Sequence, residues 1–471
     1  MPIRRKLNLD SSFKQKNNGT INRTITDFLN KEYREYSNYV IETRALPSIM
    51  DAEKVGARKI LYSAFVGSLK DGGEKKVLNL VGDVFNKTLY AHGDSSLIGA
   101  IMTMGAPFTD NLNPIDIVGQ GGSLRDPKSF AAPRYLFCKL SKYAKLYKVD
   151  EDLLEYVFDE GEYLEPTHFL PIIPLVLTSR AEGMAPGYKF SSFSYNPIDI
   201  IDACSEVIKA GKIKTQIRPY VRGILQENFT YDEDLKKWIN VGKWQADEKN
   251  DIIKISDLPY DVTYDKFEKK LNSYIDSGYI KDWKNFSHDN VLDYRILFNK
   301  SKLSRELQAD RLPGMIKKFM LQTTIPDDLL YVLDENKKVK HFLTKEDLLI
   351  YFVKLRLNKY NDRKDKLVKV KEQQYKENSE LCKFIELVTS EKLKINNRKI
   401  AEVKEELKSY DLPVSLLNVA VSKLTQEEKE EILKKNKEIE EELEYIKNTT
   451  IEQMYLDDLK ALRKDLINDF K

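Results

Sequence analysis

Cysteine is nearly missing from this chain: its 471 residues hold three, Cys138, Cys204 and Cys382, far apart and without a CxxC pair. That excludes a disulfide framework and a thiolate zinc site, and it fits a reducing cytoplasm. Long apolar runs are absent too. The 41% hydrophobic content is dispersed, and no stretch approaches the roughly 18 consecutive apolar residues of a membrane-spanning helix. The polar, basic start lacks the apolar segment of a secretory leader. No GxxxxGK[ST] motif occurs, so a nucleotide-cradling loop of that type is not expected here.

Charge is plentiful, and its distribution says more than its sum. Residues 1–149 hold 23 Lys+Arg against 14 Asp+Glu (+9), and the remainder holds 54 against 60 (−6), within a net +3. A basic first third fits a polyanion partner, because lysine and arginine gain affinity by displacing phosphate counterions. Chance asymmetry gives the same count.

The length predicts two to four structural units. Residues 26–43 read as an amphipathic helix with Leu29, Tyr33, Tyr36 and Val40 on one stripe, ended by Pro47. A second helix is expected over 54–66 and a third over about 75–88, joined by the turn residues Gly72 and Gly73. Helix, glycine turn and helix is also how helix-turn-helix DNA readers are built. Asp94 or Ser95 can cap a further helix carrying Leu97, Ile101 and Met104. The glycine-rich stretch 118–134 reads as a long loop, with Tyr135 directly after it.

From 150 to 340, short β-rich runs such as Ile252 to Ile255 alternate with helical stretches such as 264–277, an α/β pattern with Trp238 and Trp244 as core residues. Thr344 and Asp347 form a helix-starting box. Beyond it, charged helices with the stripes Leu348, Phe352, Leu355 and Ile432, Ile439, Leu443, Ile446 predict an antiparallel coiled coil over 341–471, with a helical tip at about 380–423 broken by Pro413. The fold class expected is α+β, helix-rich.

By themselves these residues leave bland alternatives open. Tyr135 is one of 26 tyrosines, basic side chains make solvated helix faces, and Ile173 between two prolines reads as a buried strand start. A non-enzymatic helix-turn-helix and coiled-coil protein that organises DNA explains the charge asymmetry equally well.

Ordered motifs narrow the choice. Arg44-Ala45-Leu46-Pro47 runs on through Asp51 and Lys54 to Tyr62, His92-Gly93-Asp94-Ser95 follows, and then come Gly119-Gln120-Gly121 and Ala131-Ala132-Pro133-Arg134-Tyr135. Leu170-Pro171-Ile172-Ile173-Pro174 precedes Gly183 and Gly187. In this order the chain resembles the breakage-reunion, gyrase A-like subunit of type IIA DNA topoisomerases across nearly its whole length. In size and content it is most similar to the phage-encoded medium subunit.

The resemblance implies a winged-helix domain with the catalytic tyrosine over 1–149, a tower domain over 150–340, and a coiled coil ending in a dimerisation tip. It implies Tyr135 as nucleophile and Arg134 as its cationic neighbour, since a phenol of pKa about 10 attacks phosphorus poorly without help. DNA contacts fall on Arg44, Lys54, Arg58, Lys59, His92, Ser95 and Gln120. Ile173 becomes a wedge that bends the duplex. Tyr90 stands where the family has a first histidine.

No metal site is expected on this chain. Mg²⁺ and ATP are expected from an ATPase/Toprim partner, in a homodimer-based assembly acting on double-stranded DNA, in a host-cell cytoplasm if phage-encoded. Without a β-rich wrapping domain, relaxation and decatenation are expected over negative supercoiling.

Overall fold

The computed structural model describes residues 24–470 except 289–290, 327–328, 391, 395–397 and 420–425. The polar start and the last residues of the expected tip, 420–423, lie outside them. Two compact units divide the chain: one reaches Val353 and includes the segment from Ala461, and the other is Lys354–Lys460. Helix and sheet are mixed, and the expected parts 1–149 and 150–340 fall in the same unit.

The first described segment is helical from Ile25 to Ala45, interrupted by two wide π turns, Leu29–Tyr33 and Ile41–Ala45. Its expected apolar stripe does not enter a core. Leu29, Tyr33 and Tyr36 are 47, 45 and 59% exposed, so the periodicity marks a face left open among the described residues.

Three helices follow, Val55–Val66, Val77–Lys87 and Asp94–Met104. Ile60 and Ala64, Leu80 and Val84, and Leu97 and Ile101 sit at helical spacing and meet in one core. A three-stranded antiparallel sheet closes that core, with Phe137–Leu140 between Lys75–Lys76 and Ile115–Val118. Gly93 rather than Asp94 or Ser95 takes the N-cap position of the third helix.

The Val55–Val66 helix also buries charge, which corrects two expectations. Arg58 and Lys59, expected on an open phosphate-facing surface, are buried. Arg58 Nε donates to Asp51 at 2.8 Å and its Nη2 to the Glu53 carbonyl at 2.8 Å. Lys59 pairs with Glu165 at 2.8 Å and also donates to the Thr88 carbonyl. Neither cation is free for a phosphate. Helical periodicity places charges outside unless a partner is in view, and Glu165 is too distant in sequence to be seen. Removing one member of such a pair costs about 3–5 kcal/mol.

Asp51 also accepts from the Phe169 backbone N–H at 2.9 Å, so this network ties the helix to the following β region. Beside it, the Tyr147 hydroxyl donates to Glu53 at 2.8 Å. Burial, reinforced by the charge of Asp51, pushes the Glu53 carboxyl up to about 8. Burial likewise raises Asp110 to about 6.

Farther along, four antiparallel strands run in the order Trp244–Asp247, Ile252–Ile255, Tyr294–Leu297 and Asp282–Asn285. Alternation builds their core: Ile253, Ile255, Tyr294 and Ile296 point in, and Lys254 and Arg295 point out. Phe267 and Leu271 of the helix Tyr264–Asp276 join that core. Trp238 is buried as expected, and Trp244 packs against the core while half-buried. The last segment returns to this unit, with Arg463 on Asp202 at 2.7 Å and Lys142 on Asp469 at 2.6 Å.

In the second unit, the helix Lys345–Thr389 from Lys354 onward pairs with Gln426–Asn448. Lys371 meets Glu442, Ser379 meets Asn436, and Glu386 meets Lys429. One number rises as the other falls, so the two helices are antiparallel. Phe384, Leu393, Val403, Leu407 and Leu416 form a small core of their own. The helix Ile400–Ser409 stops before Pro413, as its sequence predicts. No helix among the described residues is long and apolar enough to cross a membrane.

The buried acids set a pH dependence. A carboxyl raised above its ordinary value favours the protonated folded state, so its stabilisation is full below about pH 4.5 and is lost as pH rises through about 6 for Asp110 and about 8 for Glu53. The melting temperature should fall from roughly pH 5 to 9, and Glu53→Gln should flatten the upper part of that fall. A thermal melt series in which both proteins fall in parallel would remove Glu53 from this dependence.

Candidate functional site

Tyr135 stands where the loop 119–136 returns to the sheet. Its N–H donates to the Ala132 carbonyl at 2.9 Å, closing a turn around Pro133 and Arg134. The next residue, Leu136, is 1% exposed and packs in the three-helix core, and its carbonyl accepts the Val77 N–H at 3.0 Å. Leu136 is thereby fixed inward, while Tyr135, the closing residue of the turn, is 65% exposed. The Arg134 guanidinium carbon lies 4.7 Å from the tyrosine ring centroid. Among the described residues no side chain hydrogen-bonds the Tyr135 hydroxyl.

The loop itself is a closed excursion. Gly121 and Phe130 pair across its neck, and the Ala131 N–H donates to the Gln120 carbonyl at 3.0 Å. Gly119 has φ +112°, a conformation that favours glycine. The Gln120 side chain is exposed, as its expected role requires.

A second group gathers around Arg44. Its Nη2 lies 3.4 Å from His92 Nδ1, and the His92 ring meets Tyr90 edge-on at 5.3 Å. Tyr90 is thus an aromatic support for His92 and Phe85, the latter at 5.5 Å. Partial burial, aided by the Arg44 and Lys59 charges, holds the imidazole below its ordinary range. Lys54 reaches the Glu182 carbonyl at 3.1 Å, and burial lowers its pKa. Ser95 is exposed in the first turn of the helix Asp94–Met104. No hydrogen bond, ion pair or ring contact among the described residues joins Tyr135 or Arg134 to Arg44, Lys54 or His92.

Ile173 requires correction. The resemblance makes it an exposed wedge, yet it is 0% exposed, in an apolar run that includes Leu170, Leu175 and Val176. A residue without exposed surface cannot enter a base step while the fold is intact. The exposed apolar residue of this region is Met184, at 79%. It lies on the hairpin formed by Glu182–Ala185 and Tyr188–Ser191. Gly183 seats that hairpin: a Cβ there would fall 2.0 Å from the Ala45 carbonyl oxygen. The signal for it lay in the flanking Gly183 and Gly187 rather than in the proline-bounded isoleucines.

A basic groove also escaped the sequence. Lys266, Lys269 and Lys270 share it with Lys317 and Lys318 and a single acid, Asp265. Its two lysine groups are about fifty residues apart in the acidic part of the chain, so regional charge counts conceal it.

Comparison with known proteins gives this geometry its context. Residues 44–461 match the family described as the A-subunit of DNA gyrase/topoisomerase IV. The chain is similar to the mitochondrial DNA topoisomerase 2 of Dictyostelium discoideum, with 32% identity over 83% of this chain and 30% of that protein. It is also similar to DNA topoisomerase 2 of Plasmodium falciparum, with 30% identity over 93% of this chain and 34% of the relative. It thus spans about a third of the length of these relatives. In structure it is similar to the crystal structure of the Plasmodium falciparum topoisomerase II DNA-binding, cleavage and re-ligation domain. That match has a TM-score of 0.80 and 28% identity, and it covers 94% of this chain and 65% of the other. The family match takes in Tyr135, Arg134 and both basic segments around Arg44 and Lys54, so this chain belongs to the DNA gyrase/topoisomerase IV A-subunit family.

Proposed function

We propose that this chain breaks and rejoins duplex DNA through Tyr135, as the cleavage part of a type IIA topoisomerase. The carrying observation is a tyrosine held 65% exposed beside a guanidinium. The phenol oxygen attacks a backbone phosphorus. The O–P bond to Tyr135 forms as the P–O3′ bond breaks, the phenol gives up its proton, and the departing 3′ oxygen takes one up. One ester replaces another, so the reverse step reseals the strand without a high-energy cofactor. Arg134 lies where charge develops on the phosphate oxygens.

Each tyrosine cuts one strand, so a double-strand break calls for two copies of the chain. Passage of a second duplex through that break relaxes or decatenates DNA directly, whereas negative supercoiling needs an added wrapping element. In this reading the three-helix, three-strand part is a winged-helix domain, the sheets of 229–325 form the tower, and the antiparallel helices form a coiled coil with a dimerising tip. Arg44, His92, Ser95 and Gln120 are the open DNA contacts. Lys54 braces the Met184 hairpin, and Arg58 and Lys59 hold the platform together from inside.

Mg²⁺ does not fit the residues around Tyr135, whose ring lies against a cation. Among the described residues no group of three or more His, Cys, Asp or Glu could hold a metal. No step is therefore assigned to a metal on this chain. We assign Mg²⁺ and ATP to a partner polypeptide with Toprim and ATPase parts, in the manner of a phage medium subunit working in the host cytoplasm. The uncovered aromatic face at 25–40 supports such a partner.

Mixing the chain with its co-purifying partner, Mg²⁺ and end-labelled duplex, then denaturing, should leave a labelled protein–DNA adduct that Tyr135→Phe abolishes. Equal adduct in both proteins would remove Tyr135 from the reaction, and an adduct in neither favours a DNA-organising protein. Bending separates the two wedge candidates. Met184→Ala should reduce fluorescence-transfer bending while leaving stability unchanged. Ile173→Ala should cost about 2–5 kcal/mol in unfolding free energy through the cavity it leaves. Undiminished bending by Met184→Ala would discard that wedge.

A further inference from the structure

The loop that ends at Tyr135 is fastened at its far end by a residue no motif singles out. Arg125, 9% exposed, occupies the head of the loop. There the Ser123 and Asp126 backbones exchange hydrogen bonds at 3.1 Å, holding the residues between them in a tight turn. Its guanidinium leaves the loop and enters the connection between the strand Ile252–Ile255 and the helix Tyr264–Asp276. Nη1 donates to the Pro259 carbonyl at 2.6 Å and to the Val262 carbonyl at 3.2 Å. Nη2 donates to Asp257 Oδ1 at 2.9 Å and to the Leu258 carbonyl. Its own carbonyl accepts the N–H of Tyr264, the first residue of that helix, at 3.0 Å. Asp257 is held in turn by Asn228 Nδ2 at 2.5 Å.

We propose that Arg125 is a positioning residue for strand cleavage, clamping the loop head to the 229–325 body so that Tyr135 and Arg134 meet the phosphate in one fixed arrangement. The inference rests on the cleavage role of Tyr135. Tyr135 has two anchors. Leu136 fixes it to the three-helix core from one side, and the closed neck at Gly121 and Phe130 relays the hold of Arg125 from the other. Only three residues separate Ala131, which is bonded at that neck, from Tyr135. Arginine suits this place because its planar fork serves several acceptors at once, whereas lysine presents a single nitrogen. Without the fork, three carbonyls and a carboxylate each lose a donor, and the loop head keeps only its backbone bond to Tyr264 as a tie to the body that follows it.

Such a clamp contributes nothing to the grip on DNA and acts on the orientation of the nucleophile. With the chain in complex with its partner, Arg125→Lys should slow single-turnover formation of the covalent adduct about 10- to 100-fold. The melting temperature should fall, because buried acceptors lose a donor, while duplex affinity by anisotropy, measured below the melt, should stay at the parental value and hydrogen exchange should quicken within 119–135. Asp257→Asn, which weakens the fork from the other side, should show the same split. A parental cleavage rate in both variants, or duplex affinity falling along with the rate below the melting temperature, would overturn the clamp. Tyr135→Phe is measured in parallel. If it keeps the adduct, the cleavage reading fails and takes the clamp with it. If it abolishes the adduct while Arg125→Lys cleaves normally, only the clamp fails.

Discussion

The burial of Leu136 governs the site. An isobutyl side chain in a core of helix and strand residues fixes the backbone at one point, directly after the turn that leaves the neighbouring phenol exposed. Exposing a large aromatic ring forgoes roughly 2 kcal/mol of burial, so the exposure of Tyr135 has to be held by something else. The core under Leu136 and the turn at Pro133 do so. In the proposed reaction the helices Val55–Val66, Val77–Lys87 and Asp94–Met104 contribute chiefly by keeping that core closed.

Charge has two separate tasks here. Arg44, Arg134 and the groove lysines reach solvent and can exchange counterions with a polyanion. Arg58, Lys59 and Arg125 instead satisfy internal carboxylates and carbonyls, where removing one partner strands another. A basic residue inside a family motif is therefore no guarantee of a nucleic-acid contact. Its burial and partners decide between surface and scaffold.

Much of the architecture was legible because it depends on local pattern. Helical spacing found the segments near 54–66, 75–88 and 264–277, β-rich composition found the strand Ile252–Ile255, and at the predicted helix start the Thr344 hydroxyl accepts the Asp347 N–H at 3.1 Å and donates to its carboxylate at 2.8 Å. The order of motifs also pointed to Tyr135 and Arg134. What stayed hidden depends on residues far apart in sequence. Whether Leu29 and Tyr36 face a core or open solvent is settled by what packs there, and among the described residues both stay exposed. The choice between Ile173 and Met184 is a choice between two apolar residues near glycines and prolines, which only exposure resolves. Likewise the groove lysines come together through the packing of the helices Tyr264–Asp276 and Leu312–Lys318.

The bond from the Val77 N–H to the Leu136 carbonyl has a mechanical corollary. It joins the start of the helix Val77–Lys87 to the residue beside Tyr135, the proposed nucleophile. In that reaction a tyrosine on a loose arm would let a severed end swivel and drift from its mate, whereas one tied to a helix start would hold the end to the folded body, whose return would restore the register of the ends without a search.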